Sequence, residues 1–521
     1  MSGDFQVFTQ LQIGAREPQR VFLRLPDGAT LTYGQLQHQS AQLANLLHAA
    51  GIAPGDRVAV QVDKSATALV LYLAVLRAGA VYLPLNTAYT LAELEYFIGD
   101  ARPALLVCDP AAAGGLAPLA RRLGVSVVHT LGGDGCSGTL AAAAALQSVE
   151  FTDVARERGD LAAILYTSGT TGRSKGAMLT HGNLLSNALV LRDYWQFTGT
   201  DVLLHALPIY HIHGLFVAIN VALAAGAAMI FLPRFEPTLI FNQLAQATVM
   251  MGVPTFYVRL LQDSRLDKVA TGHMRLFVCG SAPLLAETHR AWSARTGYDI
   301  LERYGMTETG MIASNPYDGE RLAGTVGFAL PGVSVRITDL ELGPELPADQ
   351  IGMIEVAGPN VFAGYWDQPE KTRAEFHGSF FITGDLGCRD ARGYLRIVGR
   401  GKDLIISGGY NVYPKEVESE IDALPGVEES AVIGVAHPDL GEGVTALIVA
   451  PRRSAELTPQ AVQAALRQRL AAYKCPKHVA FVAELPRNTM GKVQKNALRA
   501  SYANLYQPAG QTGGATEDTR S

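Results

Sequence analysis

The chain has 521 residues, of which 48% are hydrophobic and 17% are charged, and its formal net charge is −5 at pH 7. This length predicts at least two domains of a globular protein, and the negative charge argues against a nucleic-acid partner. The five scattered cysteines predict reduced thiols and no zinc site. Residues 1–20 lack the pattern of a targeting signal. No apolar segment is long enough to span a membrane. We therefore expect a cytoplasmic enzyme.

Short Val- and Leu-rich runs alternate with helical patterns in the first part of the chain. The run at 57–62 precedes a helical pattern at 65–78, and similar runs occur at 104–107 and 202–207. This alternation predicts an α/β protein with two helix-covered mixed or parallel sheets. The apolar stretch from Leu215 to Leu232 is interrupted by Asn220 and is predicted to be a buried strand–helix unit.

The later part of the chain differs in composition. Residues 325–398 are rich in Gly, Val and Ile and predict a small antiparallel β unit, and the glycines that flank charges at 399–403 predict a hinge. A helix that begins at Pro414, strands at 431–435 and 446–449, and a helix capped by Thr458 predict a small, mobile α+β domain. The expected domains are residues 1–401 and 402–506, followed by a disordered tail at 507–521.

A loop at 167–176 lies between an apolar run and a helical pattern that starts near His181. It holds five hydroxyls, three glycines and one lysine in ten residues. Glycines bring backbone N–H groups against an anion, and hydroxyls and an ammonium group add donors, so the loop predicts a phosphate site. It lacks the order of a Walker A loop, and a flexible polar loop is the alternative. The candidate ligands are Thr167, Ser168, Gly169, Thr170, Thr171, Gly172 and Lys175.

A second candidate segment is Glu302–Thr309. Tyr304 offers a flat face for a purine, Thr307 a hydroxyl for phosphate, and Glu308 a hard oxygen ligand for Mg²⁺. The alternative is an ordinary surface loop. Residues 207–214 contain His211 and His213 beside proline and glycine, and these histidines are either functional or satisfied core residues.

Two further segments carry charge. Asp385 follows Gly384 and, with Arg400, can bind both hydroxyls of a ribose. The alternative is that the two residues form an ordinary exposed salt bridge. Lys492 follows Gly491 in a turn, where it is either solvated or a mobile charge that stabilises a transition state.

These segments, in this order, resemble the adenylate-forming acyl-CoA synthetase superfamily, and the resemblance covers roughly residues 29–499. It implies that 167–175 bind ATP, Tyr304 stacks on adenine, Thr307 and Glu308 hold phosphate and Mg²⁺, Asp385 and Arg400 hold ribose, and Lys492 is catalytic. The other residues of the implied nucleotide site are Ser281, Ala282, Glu302, Arg303, Gly305 and Met306.

The resemblance also implies two half-reactions. A carboxylate attacks the α-phosphate of ATP and forms an acyl-adenylate, and the thiol of CoA then displaces AMP. In this superfamily the small domain rotates between the two steps, with Lys402 at the hinge position. The loop Ser407, Gly408, Gly409 and Tyr410 would line the pantetheine tunnel. Because the charge of Lys492 is needed, the lysine is also a candidate target for a lysine acetyltransferase.

The acid substrate is suggested by Arg303, which directly precedes Tyr304. A cation facing the acyl pocket is costly unless the substrate brings a second carboxylate, and the surrounding motifs resemble the malonyl-CoA synthetase branch. Arg303 is therefore expected to bind the distal carboxylate of malonate or methylmalonate, with help from His211 and Ser281 and, more weakly, Arg259. Alternatively, Arg303 pairs with Glu302 or another acid. The rival functions are ligation of a short- or medium-chain fatty acid or an aryl acid, a luciferase-like oxygenase, and a non-catalytic nucleotide sensor.

Overall fold

The computed structural model describes residues 5–13, 16–167, 174–451, 454–488 and 491–506. The described chain divides into two compact units. The first unit runs to Gln350 and includes Ile354–Thr383 and Arg389–Arg396, and the second consists of Ile351–Met353, Gly384–Cys388 and the described residues from Ile397 onward. The predicted tail at 507–521 lies outside the described residues.

The first unit contains two large sheets. The seven-stranded sheet has the order β18-β8-β7-β4-β3-β5-β6 and the nine-stranded sheet the order β15-β14-β13-β12-β11-β9-β10-β1-β2. The strands of both sheets are β1 Val21–Arg24, β2 Thr30–Thr32, β3 Arg57–Gln61, β4 Val81–Pro84, β5 Leu105–Cys108, β6 Val127–Thr130, β7 Leu161–Thr167, β8 Lys175–Thr180, β9 Val202–His205, β10 Ala228–Phe231, β11 Val249–Gly252, β12 Leu276–Cys279, β13 Leu301–Met306, β14 Gly310–Ser314, β15 Phe328–Ala329 and β18 Gly364–Tyr365.

Both large sheets are parallel in their centres and gain antiparallel strands at the edges. In the seven-stranded sheet β3 pairs in parallel with β4 and β5, whereas β7 and β8 are antiparallel. In the nine-stranded sheet β11 and β12 are parallel, and β13 and β14 form an antiparallel hairpin. The predicted pair of helix-covered mixed sheets is thus confirmed.

Helices accompany these strands, and polar caps fix several of their ends. Thr32, Thr90 and Thr180 each form a capping box with the side chain three residues later. The helices of the first unit are α1 Val7–Gln10, α2 Tyr33–Ala49, α3 Ala66–Arg77, α4 Leu91–Ala101, α5 Ala113–Arg122, α6 Thr139–Ala144, α7 His181–Tyr194, the π-helix His213–Ile219, α8 Asn220–Ala225, α9 Pro237–Leu244, α10 Pro254–Leu261, α11 Ala286–Thr296 and α12 Pro369–Ala374.

The remaining elements form two smaller sheets and the helices of the second unit. One five-stranded sheet has the order β16-β17-β20-β19 with β21 beside β20, and the other has the order β23-β22-β25-β24 with β26 beside β25. Their elements are β16 Ser334–Thr338, β17 Gly352–Ala357, β19 Phe376–His377, β20 Phe380–Arg389, β21 Leu395–Arg400, the 3₁₀-helix Gly401–Asp403, β22 Ile405–Ser407, β23 Tyr410–Val412, α13 Pro414–Asp422, β24 Glu429–His437, β25 Gly441–Val449, α14 Pro459–Arg467, β26 His478–Val482 and α15 Lys495–Ser501.

Two local predictions differ from the structure. Residues from Lys175 onward form strand β8 rather than the end of a loop, because they pair with β7 in register, Thr167 with Lys175. The apolar stretch after Gly214 runs from helix to strand and not from strand to helix. All five cysteines are free, and no described helix combines the length and apolar character needed to cross a membrane.

Candidate active site

The predicted phosphate loop begins where β7 ends. Thr167 is the last residue of β7 and Lys175 the first of β8, and residues 168–173, which hold the other candidate ligands, lie outside the described residues. Lys175 is buried, its Nζ is 3.1 Å from a carboxylate oxygen of Glu375, and it lies 4.5 Å from the ring centroid of Tyr365. The ammonium group of Lys175 is therefore neutralised by a protein acid in this structure, and its contact with phosphate stays a prediction.

The segment 302–308 forms the first strand and turn of the β13–β14 hairpin. Gly305 is required there, since a Cβ atom on it would lie 2.2 Å from the carbonyl oxygen of Gly310. Tyr304, Met306 and Thr307 are half-buried in this hairpin. Glu308, at the turn, is buried, and its Oε1 accepts hydrogen bonds from the hydroxyls of Thr167 at 3.4 Å and Tyr365 at 3.1 Å. The structure thus brings Thr167, the start of the predicted phosphate loop, together with Glu308.

Arg303 is a buried cation in β13, with only 3% of the residue exposed. Its Nη2 is 3.5 Å from the Ser281 hydroxyl, and its Nε has no hydrogen-bond partner among the described residues. Burial, opposed by Cys279 and Tyr257, lowers the pKa of Arg303 to about 10, and no described carboxylate is among the causes of this shift. The guanidinium group nevertheless stays charged near neutral pH.

The alternative partner Glu302 faces elsewhere. Successive residues of a strand point to opposite faces of the sheet, and an Oε1 atom of Glu302 accepts the backbone N–H of Leu284 at 3.3 Å. No ion pair joins Arg303 to a carboxylate of the described chain. Because a buried cation without an acid is costly, the arrangement fits an anionic ligand.

Two histidines lie beside this cation. The Nδ1 of His213 is 3.2 Å from the Ser281 hydroxyl, and the Nδ1 of His211 accepts the backbone N–H of His213 at 3.3 Å. Burial and the charge of Arg303 lower the pKa of His211 to about 4 and that of His213 well below its usual range. Both imidazoles are therefore neutral, so they can shape a carboxylate pocket and donate hydrogen bonds without adding charge.

The other residues predicted for this pocket differ in their exposure to solvent. Ser281 has a positive φ of 72°, an unusual conformation for serine, and Ala282 follows it half-buried. Arg259, the weaker candidate, lies exposed on α10, whereas Tyr257 of the same helix is buried and donates to the Val278 carbonyl at 2.7 Å. His213 was present in the sequence motif, but only the structure shows that it contacts Ser281.

In the second unit, Asp385 and Arg400 form an ion pair with each other, and their binding of ribose stays a prediction. The Nε of Arg400 lies 2.8 Å from Oδ1 of Asp385, whose side chain is 7% exposed. Lys402 sits in the 3₁₀-helix, where partial burial lowers its pKa. Its neighbour Asp403 pairs with Arg499 at 2.7 Å. The pair of Asp385 and Arg400 is more buried than the exposed salt bridge considered as its alternative.

Lys492 lies in a tight turn of the second unit. Its N–H donates to the Asn488 side chain at 2.9 Å, its carbonyl accepts from the Asn488 N–H at 2.9 Å, and Gly491 has a φ of +75°. The lysine is exposed as a whole, yet the protein around it partly desolvates the ammonium group. This desolvation, with the nearby charges of Arg400 and Lys402, lowers the pKa of Lys492 to about 8.

The predicted CoA loop is the turn of the β22–β23 hairpin. Ser407 pairs with Tyr410, and the two glycines between them have φ values of +59° and +82°. Positive φ at both central residues is the geometry that a two-residue hairpin turn of type I′ requires. Tyr410 is 59% exposed and stacks on Tyr473 with the ring centroids 4.7 Å apart. The glycine pair thus presents bare backbone at the tip of the hairpin.

The chain is similar in sequence to AMP-binding enzymes and to CoA ligases. The profile of the family described as AMP-binding enzyme matches residues 11–366, and that of the AMP-binding enzyme C-terminal domain matches residues 416–492. The mitochondrial malonate–CoA ligase ACSF3 of Mus musculus is 37% identical over 522 residues, which cover 92% of this chain and 88% of that protein. A feruloyl-CoA synthase from an Amycolatopsis species is 36% identical over 483 residues, which cover 91% of this chain and 94% of that protein.

A solved structure is more similar still. The crystal structure of ATP-bound MatB from Rhodopseudomonas palustris shares 60% sequence identity with the chain and has a TM-score of 0.95. The similarity covers 97% of this chain and 100% of that one.

Proposed function

Because the chain belongs to the family of AMP-binding enzymes, we propose that it is an ATP-dependent malonate–CoA ligase. In the first half-reaction, malonate attacks the α-phosphate of ATP, and malonyl-adenylate and pyrophosphate form. In the second, the thiol of CoA attacks the acyl carbon, and malonyl-CoA and AMP form. Methylmalonate, which adds one methyl group, is proposed as a second substrate.

The observation that carries the choice of acid is the buried guanidinium group of Arg303, which pairs with no carboxylate of the described chain. One carboxylate of malonate must stay free to attack ATP, so the other needs a partner inside the pocket. Arg303 supplies a charge-assisted bond, and Ser281 and His213 lie beside it with groups that can donate hydrogen bonds. A monocarboxylic acid would leave the cation without an anion.

The nucleotide half of the reaction rests on residues with the chemistry for phosphate, base and ribose. We propose that Thr167 and the loop that follows it bind the β- and γ-phosphates, that Tyr304 stacks on adenine, and that Asp385 accepts the ribose hydroxyls. Glu308 would hold Mg²⁺, since one buried carboxylate together with substrate phosphates is a usual magnesium site. When bound, the ion neutralises phosphate charge.

Charge also has to be stabilised at the phosphorus atom, and Lys492 is proposed for that task. Negative charge builds up during attack on the α-phosphate, where a positioned cation lowers the barrier.

The hairpin tip of Gly408 and Gly409 is proposed to border pantetheine in the second half-reaction. Acetylation of Lys492 by a lysine acetyltransferase would remove this charge and stop adenylation. We place the reaction in the cytoplasm.

The proposal is tested by ATP–pyrophosphate exchange with malonate, methylmalonate, butyrate and ferulate. We expect malonate to give the highest kcat/KM, and Arg303→Leu to reduce it by at least about 100-fold, the cost of a lost charged bond. Arg303→Lys keeps the positive charge but not the planar pair of N–H donors, so it should reduce kcat/KM for malonate less than Arg303→Leu does. If Arg303→Leu turns over malonate undiminished, or if butyrate or ferulate is preferred by the wild type, the dicarboxylate assignment is wrong.

A further inference from the structure

A half-buried lysine lies in the first unit, outside the residues discussed above. Lys64 follows β3 and directly precedes Ser65, the cap of α3. Its Nζ is 2.7 Å from Nδ1 and 2.9 Å from the carbonyl oxygen of His205, and it lies 4.3 Å from the ring centroid of Phe231. No described carboxylate forms an ion pair with Lys64, and burial lowers the pKa of the lysine well below its usual range.

The contact with Lys64 fixes the chemical state of His205. Nε2 of this fully buried histidine is 2.8 Å from the carbonyl oxygen of Gly214. A carbonyl only accepts, so Nε2 carries the proton and Nδ1 is the acceptor. Lys64 is the donor to that acceptor, and burial keeps the ring neutral by lowering its pKa. One tautomer of His205 is therefore selected by groups on both sides of the ring.

Gly214 lies at the start of the π-helix. A Cβ atom on Gly214 would come within 2.0 Å of the Pro208 carbonyl oxygen, so the backbone is packed too closely here for any side chain. The preceding residue, His213, begins the π-helix and contacts Ser281, which contacts Arg303. Single turns of π-helix are frequent at functional sites. A continuous set of contacts thus runs from Lys64 through His205 and the backbone at Gly214 to the Arg303 pocket.

We propose that Lys64 is a positioning residue for this pocket and acts through His205. By donating to Nδ1, Lys64 holds the His205 ring so that Nε2 anchors the Gly214 carbonyl and sets the position of His213 beside Ser281 and Arg303. Lys64 then determines how tightly the second carboxylate of the acid binds, without touching the acid or ATP. This inference rests on the proposed malonate–CoA ligase function.

The test compares steady-state kinetics of Lys64→Met and Lys64→Gln by measuring malonate-dependent AMP release. Methionine and glutamine have side chains of the same length, one atom shorter than lysine. Methionine donates no hydrogen bond, whereas the amide of glutamine still donates to Nδ1 without a charge. We expect Lys64→Met to raise the KM for malonate by about tenfold, with the KM for ATP changed by less than about twofold, as for the loss of one buried hydrogen bond. Lys64→Gln should restore the malonate KM to within about threefold of wild type.

Lys268→Met, which removes an exposed lysine of the same unit, is the matched control and should leave both KM values unchanged. An equal rise in the malonate KM of Lys64→Gln and Lys64→Met would show that the charge matters rather than the hydrogen bond, and it would overturn the proposal. So would a parallel rise in the KM values for malonate and ATP, or no change in either.

A double-mutant cycle with His205→Gln tests whether Lys64 acts through that histidine. The amide nitrogen of glutamine can replace Nε2 toward Gly214, but Nδ1 is lost. Lys64→Met should then have no further effect on the malonate KM in the His205→Gln background, because interacting residues are non-additive. An undiminished effect in that background contradicts the proposal. If Lys64→Met does not fold, Lys64→Leu, which also donates no hydrogen bond, takes its place in the cycle. Failure of the proposed function is distinguishable, because it would appear as absence of malonate turnover in the wild type.

Discussion

The guanidinium group of Arg303 fills the space in which a side chain at position 280 would lie. An ideal Cβ atom built on Gly280 comes within 2.5 Å of Cζ and 2.6 Å of Nε of Arg303. The backbone of Gly280 does not have a positive φ, so the requirement for glycine here is steric. The end of a long side chain can move aside, so a larger residue at 280 would displace the cation before it unfolded the domain.

We therefore predict that Gly280→Ala raises the KM for malonate by at least about tenfold with little change in the KM for ATP, because it shifts the group proposed to bind the distal carboxylate. Steady-state kinetics with each substrate varied would measure this effect. Gly159→Ala is the control, since a Cβ atom on exposed Gly159 meets nothing within 4 Å. A loss of thermal stability without a selective change in the malonate KM would contradict the prediction.

The pKa of Lys492 predicts how adenylation depends on pH. Desolvation of the ammonium group, with the nearby charges of Arg400 and Lys402, lowers this pKa from 10.5 to about 8, so the lysine is charged below that pH and loses its proton as the pH rises through it. We expect the rate of malonate-dependent ATP–pyrophosphate exchange to fall by up to about tenfold per pH unit above this value. Lys492→Arg keeps its charge and should not show the same fall. Identical profiles of the two proteins above pH 8 would argue against a charged Lys492 in this step.

The hairpin tip at Gly409 predicts a separation of the two half-reactions. A Cβ atom on Gly409 meets nothing within 4 Å, but its φ of +82° is strained for other residues. Gly409→Leu should slow thioester formation by at least about tenfold while pyrophosphate exchange stays within about twofold of wild type.

Gly409→Ala is the matched control for that substitution, because it carries the same backbone strain without the bulk. Single-turnover formation of malonyl-CoA and pyrophosphate exchange are the two measurements. Equal loss of both activities in Gly409→Leu would refute a separate role of this turn in the second step.

A buried acid of the second unit predicts a pH-dependent stability. Asp422 ends α13, accepts a hydrogen bond from Ser430 at 2.6 Å and lies 4.0 Å from Lys415, near Glu418 and Glu429. Burial, which outweighs Lys415 and Ser430, raises its pKa from 3.8 to about 6. The stability contributed by the neutral acid is fully present below pH 3.8 and is lost as the pH rises through about 6.

Asp422→Asn should accordingly raise the free energy of unfolding at pH 8 by about 1–3 kcal/mol and have a much smaller effect at pH 4. Chemical denaturation at both pH values would measure the difference. The exposed Asp439→Asn of the same unit is the control. A stabilisation that is equal at both pH values would point to a cause other than ionisation.

Local patterns in the sequence were sufficient to predict many elements. The helical pattern at 65–78 became α3, Ala66–Arg77, and the cap at Thr458 accepts the backbone N–H of Ala461 at the start of α14. Caps, prolines and hydrophobic periodicity act within a few residues, so they can be read directly from the chain. Strand β8 was missed because the residues from Lys175 are rich in neither β-branched nor alternating apolar types, and pairing with β7 decides their conformation.

The sequence by itself determined the superfamily, the two-sheet α/β architecture and the presence of Arg303 next to Tyr304. Only the tertiary structure decided that no described carboxylate pairs with Arg303 and that Lys175 pairs with Glu375. It alone placed Lys64 against His205, which lies 141 residues away in the chain. The physical reason is that burial and charge pairing depend on which distant strands lie side by side, and a sequence pattern carries no distance between residues that the fold brings together.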